Sequence, residues 1–135
     1  MPFIQIDLDQ KLYDDKRDEI SAAVHRSQWE MPELGIPESD KFQAFRPHGP
    51  GELVFDPDYN GVDRQNLVVL QVLSVHRYPA SLKFDFYRNL VKHLGTVGIR
   101  PEDILIAFIE NGYEDWKLND VTEAAERELG LRATA

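Results

Sequence analysis

Pro2 stands directly behind Met1. Removal of the initiator methionine would expose a prolyl secondary amine, an α-amino group that titrates near ~8 in water. Burial would lower that value and a neighbouring carboxylate would raise it, so one nitrogen could be tuned to act as base or as acid. Phe3-Ile4-Gln5-Ile6-Asp7-Leu8 follows at once. Its alternating Ile4, Ile6 and Leu8 predict a strand that fixes an otherwise frayed terminus to a sheet. Proline at position 2 is by itself most simply an accident of sequence, so the chemistry needs partners elsewhere in the chain.

Arg77 is the first such partner. It lies in Ser74-Val75-His76-Arg77-Tyr78-Pro79, directly after an apolar run and before a helical pattern, the strand-to-helix junction at which ligands collect in α/β sheets. A guanidinium fork can hold a carboxylate through two parallel hydrogen bonds and so orient an organic acid. The plainer reading is a surface arginine paired with one of the chain's 24 acidic residues. Asp40, in Gly35-Ile36-Pro37-Glu38-Ser39-Asp40-Lys41-Phe42, is a loop acid that could cap a turn. Facing the Pro2 amine, it would stabilise the protonated form or share a proton with it. Trp116, in Asn111-Gly112-Tyr113-Glu114-Asp115-Trp116, reads as a cover over core or as an aromatic wall that keeps water from the charged groups. His76 flanks Arg77, although neighbours along a strand face opposite sides. Arg46 and Arg64 are further cations without support from spacing.

Several chemistries are excluded. The 135 residues contain no cysteine, which removes disulfides, thiolate metal sites and cysteine nucleophiles. His25, His48, His76 and His93 have no spacing that would set two imidazoles on one helical face, so no metal is expected. Gly49, Gly51 and Gly61 open no phosphate loop or dinucleotide fingerprint. A net charge of -9, with 15 basic against 24 acidic residues, argues against a nucleic-acid partner, which needs a basic stripe. The apolar run 67–73 falls well short of the ~20 residues of a membrane helix. With no leader pattern at the start, a cytoplasmic address is the expectation.

The elements that must position these residues follow from periodicity. Ile20, Ala23, Val24, Ser27 and Met31 have helical spacing between Asp14 or Asp15, as caps, and Pro32. Residues 33–66 hold half of the proline and glycine, with short strand candidates at 42–46 and 53–55 in a hairpin-like region. Residues 67–75 are β-rich and apolar on both faces, as expected of an interior strand covered by helices. Pro79-Ala80-Ser81 opens a second helix whose Lys83, Phe86, Tyr87, Leu90, Val91 and Leu94 share a face. Residues 104–109 predict another buried strand, and Asn119 or Asp120 could cap a last helix over 121–129 that stops at Gly130.

Strand-helix-strand thus occurs twice, over 3–46 and 67–109, in a single domain spanning 1–135 with parallel pairing expected inside each half. Two folds share this layout: a ferredoxin-like sandwich and a duplicated β-α-β subunit that assembles into rings.

Met1-Pro2 with its immediate strand, Ile36-Pro37-x-x-Asp40, a central strand ending near Arg77, and Ile109-Glu110-Asn111 followed by Asp115-Trp116 together resemble the tautomerase superfamily, in its malonate semialdehyde decarboxylase-like branch. The resemblance spans roughly residues 2–118. It implies an α/β (α+β) subunit with a four-stranded mixed sheet and two main helices, a homotrimer, and catalysis by the amino-terminal proline without cofactor. Position by position, Pro2 matches the catalytic proline, Asp40 the acidic residue of the decarboxylase branch, and Arg77 the second arginine of a pair at this strand end. Trp116 matches a tryptophan of the pocket wall, and Asp63-Arg64 resembles a further family pattern. The chain departs from the pattern at Val75, which stands where the first arginine would be.

The resemblance implies acid-base chemistry on a small 2-oxo or 3-oxo acid, with Arg77 holding the carboxylate, His76, Trp116 and Arg64 as further substrate contacts, and Pro2 moving the proton. A neutral Pro2 amine would catalyse keto-enol tautomerisation. An amine kept protonated by Asp40 would favour decarboxylation of a 3-oxo acid or hydration of an unsaturated one. The competing expectation is a ferredoxin-like or trimeric binding protein that keeps the scaffold without the reaction.

Overall fold

A computed structural model describes residues 2–75, 77–118, 123, 126, 127, 129 and 130. The chain enters as β1 (Pro2–Asp9) and turns directly into α1 (Gln10–Trp29). Asp9 caps α1 by accepting a 2.9 Å hydrogen bond from the Lys11 backbone N–H, satisfying one of the orphan donors of the first turn. The cap therefore lies before the expected Asp14 or Asp15, because strand and helix join without a loop. β2 (Gln43–His48), β3 (Val68–Ser74), α2 (Ala80–Thr96) and β4 (Ile104–Glu110) complete the core. Pro79 precedes α2, where its fixed φ suits a helix start.

The sheet order is β2-β1-β3-β4. β1 pairs with β2 in parallel, β3 with β4 in parallel, and the two halves meet through the antiparallel β1–β3 ladder. In a ferredoxin-like split arrangement, another strand intervenes between the two strands joined through a helix. Here each such pair is adjacent, which fixes the duplicated β-α-β subunit.

Both helices cover one face. Ile4, Ile6 and Leu8 of β1 and Val68, Leu70 and Val72 of β3 pack there against Ile20 and Val24 of α1 and Phe86, Leu90 and Leu94 of α2. Each fully buried side chain of this size contributes about 1.5–3 kcal/mol. Polar ties link the helices: Asn89 donates to the Ser27 carbonyl and to Glu30, and His93 bonds the same Glu30 carboxylate.

Four expectations are corrected. β3 alternates buried with half-buried residues, since helices cover only one face, and β4 is an edge strand with Leu105 52% and Ile109 44% exposed. Residues 53–55 form no strand; β2 pairs in parallel with β1 and not in a hairpin. The helix expected over 121–129 lies mostly outside the described residues. Among the described residues no helix is long and apolar enough to cross a membrane.

Candidate active site

The antiparallel β1–β3 register sets Pro2 opposite Ser74, at Cα separations of about 4.5–5.5 Å for facing residues. Pro2 is buried and falls on the helix-covered face with Ile4, Ile6 and Leu8, because strand residues alternate sides. Ser74, 1% exposed, pairs onward with Glu110. Pro2, Ser74 and Glu110 therefore form a row across three strands at one end of the sheet.

This end is where strand direction gathers the other candidates. Arg77 is exposed and three residues past Ser74, so its Cα lies within ~11 Å of that residue. The β1–β2 pairing begins with Ile4 N–H donating to the Phe42 carbonyl at 3.1 Å, which brings the segment ending in Asp40 beside the start of β1. A left-handed Gly35 (φ 69) closes the short helical turn Pro32–Leu34, and Asp40 N–H donates to the Pro37 carbonyl at 3.0 Å. These two turns fold the loop back, leaving Asp40 half-buried. Beyond β4, Asn111 N–H donates to the Ser74 carbonyl at 3.0 Å. The Asn111 side chain then accepts from Trp116 Nε1 at 2.7 Å, so Trp116 is anchored to the same strand ends. Four residues expected from sequence, Pro2, Asp40, Arg77 and Trp116, thus share one end of the sheet.

Two arginines are placed elsewhere in the subunit. Arg64 precedes β3, at the opposite end of that strand; its guanidinium donates to the Tyr59 carbonyl at 2.7 Å and lies 5.9 Å from the Tyr59 ring centroid. The chain reaches Arg64 before it has crossed the sheet, about 20 Å of strand away from Ser74. Arg46 is exposed on β2 opposite Asp7. His76 lies outside the described residues. Val75 is buried, 8% exposed, so the position of the missing arginine contributes an apolar side chain.

Sequence reasoning missed Tyr78. Its hydroxyl donates to the Leu34 carbonyl, and its ring stands edge-on to Phe108 with centroids 6.2 Å apart. Burial, together with the Asp40 charge, pushes its phenol up to about 12. Asp40 therefore lies near enough to Tyr78 for its charge to be felt there. Lys83, which shares a face of α2 with Phe86 and Leu90, pairs with Glu110 and lies 5.1 Å from the centre of the Phe108 ring. No spacing signal marks either contact, since both join elements distant in sequence.

The arrangement is one end of a sheet holding a secondary-amine position, a carboxylate, a guanidinium and an indole. It can hold an organic acid by its carboxylate and exchange a proton with it. Comparison with known proteins agrees with this layout. Residues 40–118 match the family described as Tautomerase enzyme. The chain is 30% identical over 122 residues to "Probable tautomerase YusQ" of Bacillus subtilis (strain 168), across 89% of this chain and 94% of that protein. The crystal structure of FG41 malonate semialdehyde decarboxylase inhibited by 3-bromopropiolate is similar with a TM-score of 0.81 at 26% identity, covering 98% of this chain and 99% of that one. A fused 4-OT in a symmetric trimer shares the fold, with a TM-score of 0.70 at 9% identity over 86% of this chain and 90% of that one. Matched over more than half its length by the family and over nearly all of it by a relative, the chain belongs to the tautomerase family.

Proposed function

We propose that this protein is a cofactor-independent enzyme that decarboxylates a small 3-oxo acid of the malonate semialdehyde type, using Pro2 as a cationic acid. The observation that carries this reading is the β1–β3 register opposing Pro2 and Ser74, at the sheet end to which Asp40 and Arg77 are also brought. Arg77 binds the carboxylate and fixes its orientation. Pro2, freed by loss of Met1 and kept protonated by Asp40, donates a hydrogen bond to the 3-oxo oxygen. The bond between the carboxylate carbon and C2 then breaks. Its electron pair moves into the C2–C3 enol system, carbon dioxide leaves, and C2 takes up a proton to give the aldehyde. Trp116 walls the site and strengthens these charges by excluding water. With Val75 in place of a second arginine, a single guanidinium carries substrate orientation.

Keto-enol tautomerisation of a 2-oxo acid is the second reading, and the burial of Pro2 favours it. Desolvation lowers an amine's pKa, and a neutral Pro2 would take a proton from C3 as a base. The uncovered sheet face, with Leu105 and Ile109 exposed and Phe3, Val69 and Leu73 half-buried, supports assembly as a homotrimer; so does the fold shared with a trimeric 4-OT. Intact mass tests for loss of Met1, and light scattering tests for three copies. A panel of enol and 3-oxo acids assayed with wild type, Pro2→Ala and Arg77→Ala tests the reaction. Turnover that collapses in Pro2→Ala supports it, and equal rates in all three proteins would leave only a binding scaffold.

A further inference from the structure

Tyr78 joins three segments that the proposed chemistry needs held in register. Its backbone directly follows Arg77 at the junction of β3 and α2. Its hydroxyl donates to the carbonyl of Leu34, which is 2% exposed and opens the loop that ends at Asp40. Its ring packs edge-on against Phe108 of β4, and Phe108 in turn meets Phe86 of α2 with centroids 6.4 Å apart. The hydroxyl spans 44 residues of sequence to reach Leu34, so it is a tertiary clamp and not a local turn bond.

We infer that Tyr78 is a positioning residue that clamps the Asp40 loop to the Arg77 junction and so sets where the Asp40 carboxylate stands relative to the Pro2 amine. The inference rests on the proposed roles of Pro2 and Asp40. A phenol suits this task because the burial and the Asp40 charge that hold its proton also keep it neutral through the working pH range. It can therefore donate to Leu34 without placing a second anion beside Asp40. Loss of the hydroxyl frees the loop while leaving the ring contact with Phe108. Arg77 still follows the end of β3, whose pairing with β1 and β4 does not involve Tyr78, so binding of the substrate carboxylate should survive and the proton-transfer geometry should not. Displacement by about 1 Å is enough to cost orders of magnitude in rate.

The test is a double-mutant cycle with Tyr78→Phe and Asp40→Asn, using malonate semialdehyde as substrate, thermal melts to monitor folding, and Pro2→Ala as control. Tyr78→Phe is expected to lower kcat about 10-fold with KM within about 2-fold of wild type, and to cost under about 2-fold in the Asp40→Asn background. Equal losses in both backgrounds, a change confined to KM, or no loss at all would overturn the inference. An independent readout is amide hydrogen exchange of residues 35–40, expected to quicken at least about 5-fold in Tyr78→Phe relative to wild type; unchanged exchange counts against the clamp. If Pro2→Ala retains wild-type turnover, the functional reading fails, and the exchange of this loop alone then decides the role of Tyr78. If Tyr78→Phe does not fold, 4-fluorophenylalanine at position 78 fills the space of the hydroxyl without its proton, and the same faster loop exchange is required of it.

Discussion

Pro2 and Ser74 face each other as the terminal pair of the antiparallel β1–β3 ladder. Because Ser74 also accepts from Asn111 beyond the end of β4, this pair ties the first residue of the sheet to segments more than 70 positions away in sequence. An amine freed at Pro2 by loss of Met1 would thereby stand at the end of a strand fixed by the ladder, where a reagent keeps its aim.

Pro2→Ala keeps the strand start but replaces the secondary amine of a pyrrolidine ring with a primary one. A positioned acid or base contributes about 10²–10⁴-fold, so turnover should fall by at least about 100-fold while the thermal melt stays close to wild type. A variant that retains Met1, identified by intact mass, should be equally inactive because the nitrogen is then an amide.

Arg77→Ala should raise KM for carboxylate substrates about 10-fold or more, while an analogue carrying an amide in place of the carboxylate, which cannot be decarboxylated and acts only as a competitive inhibitor, should inhibit both proteins equally. Arg77 is exposed, so screening limits its contribution and Arg77→Lys should recover part of it. Steady-state kinetics on the acid, and inhibition of that reaction by the amide, provide the check.

Glu30 links the two helices and is held below the ordinary glutamate value of 4.5, chiefly by the hydrogen bond from His93 and next by that from Asn89, with burial opposing. A depressed carboxyl pKa means that the folded state prefers the ionised form. Its stabilisation is present above the unfolded value and disappears as pH falls through the lowered folded value. Glu30→Gln should therefore destabilise the protein at neutral pH and melt with a shallower pH dependence below about pH 4.5. Melting curves from pH 7 to pH 3 with matching slopes for both proteins would refute the link.

Tyr78 should ionise well above the ordinary phenol value. Its phenol is pushed up to about 12 by burial and by Asp40, so ultraviolet titration should show one late phenolate step, absent in Tyr78→Phe. The folded state prefers the neutral phenol. The associated stability is intact below the unfolded value near ~10 and declines as pH rises from there through the folded value.

Ile6→Ala removes a side chain with 0% exposure at the middle of β1 and should cost about 2–5 kcal/mol in urea unfolding. Both helices pack on this row, so the loss should appear as a lower midpoint with an unchanged slope.

The elements were legible because their hydrophobic periods are local. Ile4, Ile6 and Leu8 alternate as a strand must, and Phe86, Leu90 and Leu94 repeat as a helix face must. Pro2, Asp40, Arg77 and Trp116 were also legible as residue types with unusual chemistry and a shared family pattern. What the sequence could not supply was which strands neighbour which. The ferredoxin-like and duplicated layouts have the same element order, and only the ladder β2-β1-β3-β4 separates them. Strand pairing is chosen by long-range burial, not by propensity.

The same limit explains the site. Sequence determined that an amine position, a carboxylate and a guanidinium exist, and that the charged residues lie beside strand ends. Tertiary structure decided that Pro2, Asp40, Arg77 and Trp116 fall at one end of the sheet and Arg64 at the other, since parallel and antiparallel pairing assign each strand terminus to an edge. It also decided the contacts of Tyr78 with Leu34 and of Lys83 with Glu110. A side chain's partner across space depends on how whole elements pack, and one-dimensional spacing carries no record of that distance.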